Sequence, residues 1–181
     1  MLAGLPYDPS DSTLTAERLR AQALCHELNT SRPNETAKRA QALNMLFGRS
    51  VTANINPPFY SDYGNNIELG ENVYFNVNCV LLDVVRITIG SNVLFGPGVH
   101  IYAATHPMAA SERRTGLESG AAVTIQDEVW VGGGAIICPG VTIGRGSVIG
   151  AGSVVTKDIP SGVFAAGNPC RVVRELERPN S

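Results

Sequence analysis

A chain of 181 residues, 44% hydrophobic and 17% charged, has enough apolar surface for one substantial core and is not a disordered polymer. A formal net charge of −2, with no run of Lys or Arg, excludes the electrostatic footprint of a nucleic-acid binder. No apolar run approaches the roughly 18 residues of a membrane span. "MLAGLPYDPSD" at the N-terminus lacks the regions of a signal peptide. Cys25, Cys79, Cys138 and Cys170 lack CxxC spacing, so the expectation is a cytoplasmic protein with reduced thiols.

In chain order, residues 14–29 read as an amphipathic helix, with Leu14, Ala21, Leu24, Cys25 and Leu28 on one face. A second helix follows over about 34–47, with Ala40, Leu43 and Phe47 inward and Gly48 as its C-cap. Together with a linker they form a capping unit over residues 1–60. Then a six-residue rhythm takes over. Anchors fall at Leu69, Phe75 and Leu81, slip by two near Val84 to Arg86, and recur at Ile89, Phe95 and Ile101. They return at Ile125, Val131, Ile137, Ile143, Ile149 and Val155. Crossover helices have no room in this spacing, so a parallel α/β sheet is excluded. Period six predicts a triangular solenoid over 61–160, with one short strand and one tight corner per hexad, each coil burying its anchors against its neighbours. Gly, and Asn as in "SN" at Ser91-Asn92, suit such corners. Residues 161–181 are expected to close the far end with a strand and a short helix over Arg171 to Leu176.

The rhythm breaks at "VHIYAATHPM" and a polar stretch, about 105–122, before it resumes. Of the three histidines, His26 lies on the first helix and His100 within a coil. Only His106 lies where the scaffold opens into a loop. An imidazole there suits general-base work, because its unperturbed pKa lies close to neutrality.

The hexads, together with "NVNCVLLDV", "IYAATHP" and "GAGSVVTKDIPSGVFAAGNPCRVVRE", resemble the maltose and galactoside O-acetyltransferases and the related nodulation acetyltransferases, over nearly the whole chain. That resemblance implies a left-handed parallel β-helix, a hand that the general crossover rule would not suggest. It implies direct transfer of acetyl from acetyl-CoA to a hydroxyl of a maltose-like or glucose-like sugar, without metal, in a homotrimer with sites between subunits. It assigns the base to His106 and contacts with acceptor and acyl group to Asn76. Asp83 matches an acidic position near the acceptor hydroxyls, with a rival reading as a corner residue bonding its own backbone. Glu118 resembles a loop glutamate that orients the imidazole or binds acceptor. For acetyl-CoA, the resemblance points to Trp130 as a groove wall and to the backbone of Gly133 and Ala151 against pantetheine. It places Thr156, Lys157, Arg171 and Arg174 at the nucleotide end, where cations can meet phosphates.

Three departures stand out. Gln126 replaces a corner Gly, the "ESGAAV" stretch lacks a Lys-Pro, and Val84 replaces a second acidic residue of galactoside acetyltransferases, which favours the maltose-type branch. An antibiotic or lipo-oligosaccharide acceptor stays open, because fold does not set substrate. A non-catalytic structural solenoid is a remoter alternative, since it would want a regular face without an interrupting loop.

Overall fold

The computed structural model describes residues 1–177; the last four positions of the expected C-terminal segment lie outside the described residues. Helix α1, Ser12–Thr30, starts where the Asp11 carboxylate accepts the N–H groups of Thr13 and Leu14. A cap of this kind is worth about 1 kcal/mol. Helix α2, Thr36–Phe47, ends at Gly48, whose φ of 65° supplies the left-handed turn. Ala21, Leu24, Cys25 and Leu28 of α1 are buried with Ala42, Leu43, Leu46 and Phe47 of α2. Ala40, expected on that face, is exposed: the inward stripe is the pairs 42/43 and 46/47, and position 40 falls outside it.

Beyond the helices the chain winds into a parallel solenoid with three faces. Face one stacks Asn54–Ile55, Tyr74–Phe75, Leu94–Phe95, Trp130–Val131, Val148–Ile149 and Val163–Ala166. Face two stacks Phe59–Ser61, Cys79–Leu82, His100–Tyr102, Ile136–Ile137 and Val154–Val155. Face three stacks Ile67–Leu69, Ile87–Ile89, Val123–Ile125 and Thr142–Ile143, and Ile159 bridges to Ile143 beyond them. The hexad anchors point inward and are almost all fully buried, as the rhythm predicts; Leu69, on the first coil, is the partial exception. The first coil begins at Asn54, ahead of the expected boundary at 61, because Pro57-Pro58 and an inward Ser61 disguise its hexads.

The register places all variation in coil length at one corner. From face one to face two, and from face three back to face one, anchors are six residues apart throughout (Phe75 to Leu81 and Ile89 to Phe95, for example). Between faces two and three the spacing is eight from Ser61 to Leu69 and eight again from Leu81 to Ile89. It rises to 24 from Ile101 to Ile125, returns to six from Ile137 to Ile143, and falls to four from Val155 to Ile159.

An aromatic ladder ties the helical cap to the coils. Phe47 of α2 meets Phe59 at 6.3 Å between ring centroids, Phe59 meets Phe75 edge-on at 5.5 Å, and Phe75 stacks on Phe95 at 4.5 Å. Such pairs add about 0.5–1.5 kcal/mol each beyond the area they bury. The other end closes differently. Buried Ser147 donates to Pro160 O and accepts from Val163 N, while buried Ser153 donates to Gly150 O and accepts from Gly167 N. Arg171–Glu175 is a strand, antiparallel to Val163–Ala166, where a helix was expected. The free edge of face one offers unpaired backbone groups, and the β-branched pair Val172-Val173 suits a strand better than a helix.

Candidate active site

The 24-residue excursion at the irregular corner is pinched at its base. Ala104–Thr105 pairs antiparallel with Ser119–Gly120, and a short helix α3, Ala110–Arg113, lies in the loop beyond the neck. Because Thr105 faces Ser119, the next residues outward, His106 and Glu118, meet across the neck. His106 Nε2 lies 3.9 Å from Glu118 Oε1, an electrostatic contact longer than a hydrogen bond. The imidazole is 57% exposed and the carboxylate 25%. Glu118 is held from behind: Tyr7 OH donates to its Oε2 at 2.7 Å, and the two backbones exchange hydrogen bonds of 2.9 and 3.0 Å.

Both side chains open onto a cavity of about 290 Å³ that is also lined by Pro9, Arg18, Asp62, Tyr63, Leu82 and Val84. Arg18, reaching in from α1, donates to Tyr63 OH at 2.8 Å and to Pro9 O at 2.6 Å. Burial pushes the Asp62 carboxyl upward, with Arg18 opposing the shift. Arg18, Asp62 and Tyr63 were not singled out from the sequence. Asp62 and Tyr63 lie in the eight-residue corner from Ser61 to Leu69, which repeats the slip after Leu81 but is masked in the sequence, and nothing in the sequence pattern marks Arg18.

Asp83, expected beside the acceptor hydroxyls, is fully buried. Its carboxylate accepts N–H bonds from Tyr63 at 2.9 Å and Asn66 at 3.3 Å, and desolvation pushes its pKa up to about 7. It braces the turn that carries Asp62 and Tyr63, while Leu82 and Val84 on either side of it line the cavity. Strand alternation turns position 83 inward, so the carboxylate bonds the backbone of the neighbouring coil and not the local turn expected of a corner residue.

The first 50 residues match the maltose acetyltransferase hexapeptide capping motif, and residues 122–157 match the bacterial transferase hexapeptide model of six repeats. A maltose O-acetyltransferase from Clostridium difficile 630 is 47% identical, superposes with a TM-score of 0.95, and is matched over 98% of this chain and 95% of that one. A galactoside acetyltransferase in complex with coenzyme A is 43% identical, with a TM-score of 0.90, over 97% of this chain and 88% of that one. A relative from Saccharomyces cerevisiae, named as a candidate acetyltransferase, is 49% identical over 177 residues, 97% of this chain and 88% of its own length. The chain belongs to the maltose and galactoside O-acetyltransferase family. Its solenoid is the left-handed parallel β-helix of these hexapeptide-repeat acyltransferases.

In this acetyltransferase the remaining expected residues lie away from the His106 cavity. Asn76 sits at the corner between faces one and two, where its Oδ1 accepts the N–H of Val77 at 2.8 Å. Trp130 and Leu94 are register partners on the outer side of face one, 54% and 48% exposed. Gly133 and Ala151 lie in successive coils at the same corner as Asn76. A Cβ on Gly96 would sit 2.5 Å from Gly133 N, and one on Gly132 would sit 2.6 Å from Ala151 N, so only small residues let the backbone approach so closely. Neither Gly133 nor Ala151 gives its N–H to another backbone group among the described residues. Thr156 and Lys157 are exposed after the last strand of face two, whereas Arg171 and Arg174 are on the terminal strand, Arg174 5.9 Å above the Phe164 ring. Within one chain, then, the structure joins His106 to Glu118 but not to Asn76, Trp130 or the cationic group.

His100 Nδ1 pairs with Tyr102 OH at 2.5 Å, and His26 lines a separate cavity beside Cys25, Asn29 and Tyr60. Burial pushes the Cys79 thiol up to about 11 and raises that of Cys138, which leaves little thiolate. Among the described residues no group of three or more His, Cys, Asp or Glu is placed to hold a metal ion. Gln126 leaves its corner intact: Glu128 adopts a φ of 61° in the position that glycine or asparagine takes elsewhere, and Gln126 Oε1 accepts Arg145 N–H at 2.9 Å. A larger cavity, about 670 Å³, opens by that regular corner, but it has no histidine.

Proposed function

We propose that this acetyltransferase moves the acetyl group of acetyl-CoA directly to a hydroxyl of a sugar of the maltose or glucose type, with His106 as general base. The observation that carries this reading is the His106–Glu118 pair at the mouth of a cavity whose other polar walls are Arg18, Asp62 and Tyr63. A hydroxyl must lose its proton as it attacks the thioester, and a positioned base supplies about 10²–10⁴-fold. Glu118 faces one ring nitrogen of His106 and leaves the other free to take that proton. Asp62 and Arg18 present an acceptor and a donor for neighbouring hydroxyls, which favours a polyhydroxylated acceptor over a simple alcohol.

Acetyl-CoA supplies the activated acyl group, and this chain has groups that suit its length. The free N–H groups of Gly133 and Ala151 match pantetheine amides, Trp130 walls an apolar groove, and Thr156, Lys157, Arg171 and Arg174 suit the phosphates. The galactoside acetyltransferase complex with coenzyme A supports the same donor. Because Asn76 and Trp130 lie on different faces from His106, a complete site needs residues from two copies. Leu94 and Trp130 offer an exposed apolar strip for that contact. A homotrimer with its sites between subunits is the arrangement we adopt, and acetyl-CoA as donor suits a cytoplasmic setting. No helix among the described residues is long and apolar enough to cross a membrane.

The test is CoA thiol release across neutral sugars, amino sugars, hydroxylated antibiotics and lipo-oligosaccharides, with wild type beside His106→Ala. Turnover of a neutral sugar that falls at least about 10²-fold in the variant, with acetyl-CoA binding retained, supports the reading. Turnover confined to an antibiotic or lipo-oligosaccharide keeps the chemistry and replaces the acceptor. An active enzyme indifferent to the substitution removes His106 as base.

A further inference from the structure

We infer that Tyr7 is a positioning residue for the acetyl transfer: through Glu118 it sets the orientation of the His106 imidazole. The inference rests on the reading of His106 as the base. The N-terminal segment does more than cover the solenoid end, because it runs to the neck of the inserted loop. There Tyr7 and Glu118 form an antiparallel bridge, closed by both backbone hydrogen bonds. Gly4 comes so close to the returning strand that a Cβ would lie 2.8 Å from Gly120 O, and its φ of +74° is one that side chains rarely adopt. Tyr7 itself is only 9% exposed, although it sits in a short, mostly exposed segment.

The phenol has one proton to give, and it gives it to Glu118 Oε2. Burial and that hydrogen bond to Glu118 both raise the Tyr7 pKa, so the donor stays protonated wherever the enzyme works. With Oε2 occupied, the carboxylate is held against rotation and Oε1 is the oxygen left to face His106 Nε2. A carboxylate free to turn would spread the imidazole over several orientations, and small misplacements of a base are costly in rate. Positioning by a buried phenol also explains why an exposed loop histidine needs no hydrogen bond from its own loop.

The experiment compares Tyr7→Phe, Glu118→Gln and the double variant, with His106→Ala alongside, in the full-length enzyme. The expected result for Tyr7→Phe is a kcat about tenfold lower, with acetyl-CoA affinity and thermal midpoint close to wild type. In the Glu118→Gln background the same substitution should add almost nothing, because the phenol acts through that carboxylate. A Tyr7→Phe enzyme with wild-type kcat, or losses that multiply in the double variant, would overturn the inference. If Tyr7→Phe does not fold, Gly4→Ala, which pushes the segment off Gly120, takes its place with the same expected kcat loss and the same non-additivity. Loss of activity in His106→Ala with a normal Tyr7→Phe removes only the positioning role. Full activity in His106→Ala removes the base and the inference together.

Discussion

The corner between faces two and three and the corner between faces three and one turn the same coils, but they obey different rules. At the second, anchors stay six residues apart, and the coil with Gln126 in place of glycine keeps the left-handed corner residue of the other coils, here Glu128. At the first, the spacing runs eight, eight, 24, six and four, and every residue of the His106 cavity except Pro9 and Arg18 comes from its first three turns. A solenoid tolerates extra chain where it does not break the ladder, because a corner loop leaves the neighbouring strands in register. Concentrating those insertions in successive coils stacks them into one built wall. Regularity supplies stability, and its localised failure supplies the site.

The comparison breaks most visibly at His106. His106→Ala should lower turnover by about 10²–10⁴-fold without moving the thermal midpoint, since the ring is mostly exposed. On the regular side, Phe75→Ala removes the middle of the aromatic ladder and should cost about 3–5 kcal/mol in denaturant unfolding, while any folded fraction keeps its activity per site.

Asp83 belongs to both regimes, structural in role yet lodged in the irregular corner. Asp83→Asn replaces a carboxylate that accepts from two backbone N–H groups with an amide that can accept with only one oxygen, at about 1–3 kcal/mol. Its raised folded-state value makes a pH signature. The stability that Asp83 contributes is fully present below the unfolded-state value near 4 and is lost as pH rises through about 7. Unfolding free energies at pH 5 and pH 8 should therefore differ less in Asp83→Asn than in wild type.

Trp130→Ala should weaken acetyl-CoA binding about tenfold in calorimetry and leave the acceptor KM unchanged. The smallest effect is at the regular corner. Arg145 and Glu128 form an ion pair of 3.2 Å with both side chains more than half exposed. Arg145→Ala should leave both the denaturant midpoint and the activity unchanged, because water screens so exposed a pair.

Much of the regular half is legible in the sequence. Ile89, Phe95, Ile125, Val131 and Ile149 announce the coils because a repeating environment demands the same side-chain class at a fixed period. His106 and Glu118 were legible through "THP" and "RTGLESG", although only the neck pairing of Thr105 with Ser119 explains why they meet. Arg18, Asp62 and Tyr63 were not legible. They gather from a helix and a coil distant in sequence, and Ser61 and Pro57-Pro58 hid the rhythm that would have exposed the first wide corner. For Asp83 the resemblance to an acidic acceptor position and the corner reading stood side by side, because a carboxylate in a sequence carries no sign of which way it points. The terminal strand was missed because Arg171–Glu175 is decided by an open sheet edge, a partner no local pattern reveals.

The bridge from Tyr7 to Glu118 has a consequence for the order in which the molecule is built. Coils that touch only their neighbours can be added one after another, each closing a short loop. This bridge spans 111 residues, and the entropic cost of closing such a loop is met only when its contacts form together. The third coil and the neck must therefore be in place before the N-terminal segment can lock. The last adjustment of the imidazole then comes after the coil that carries it has closed.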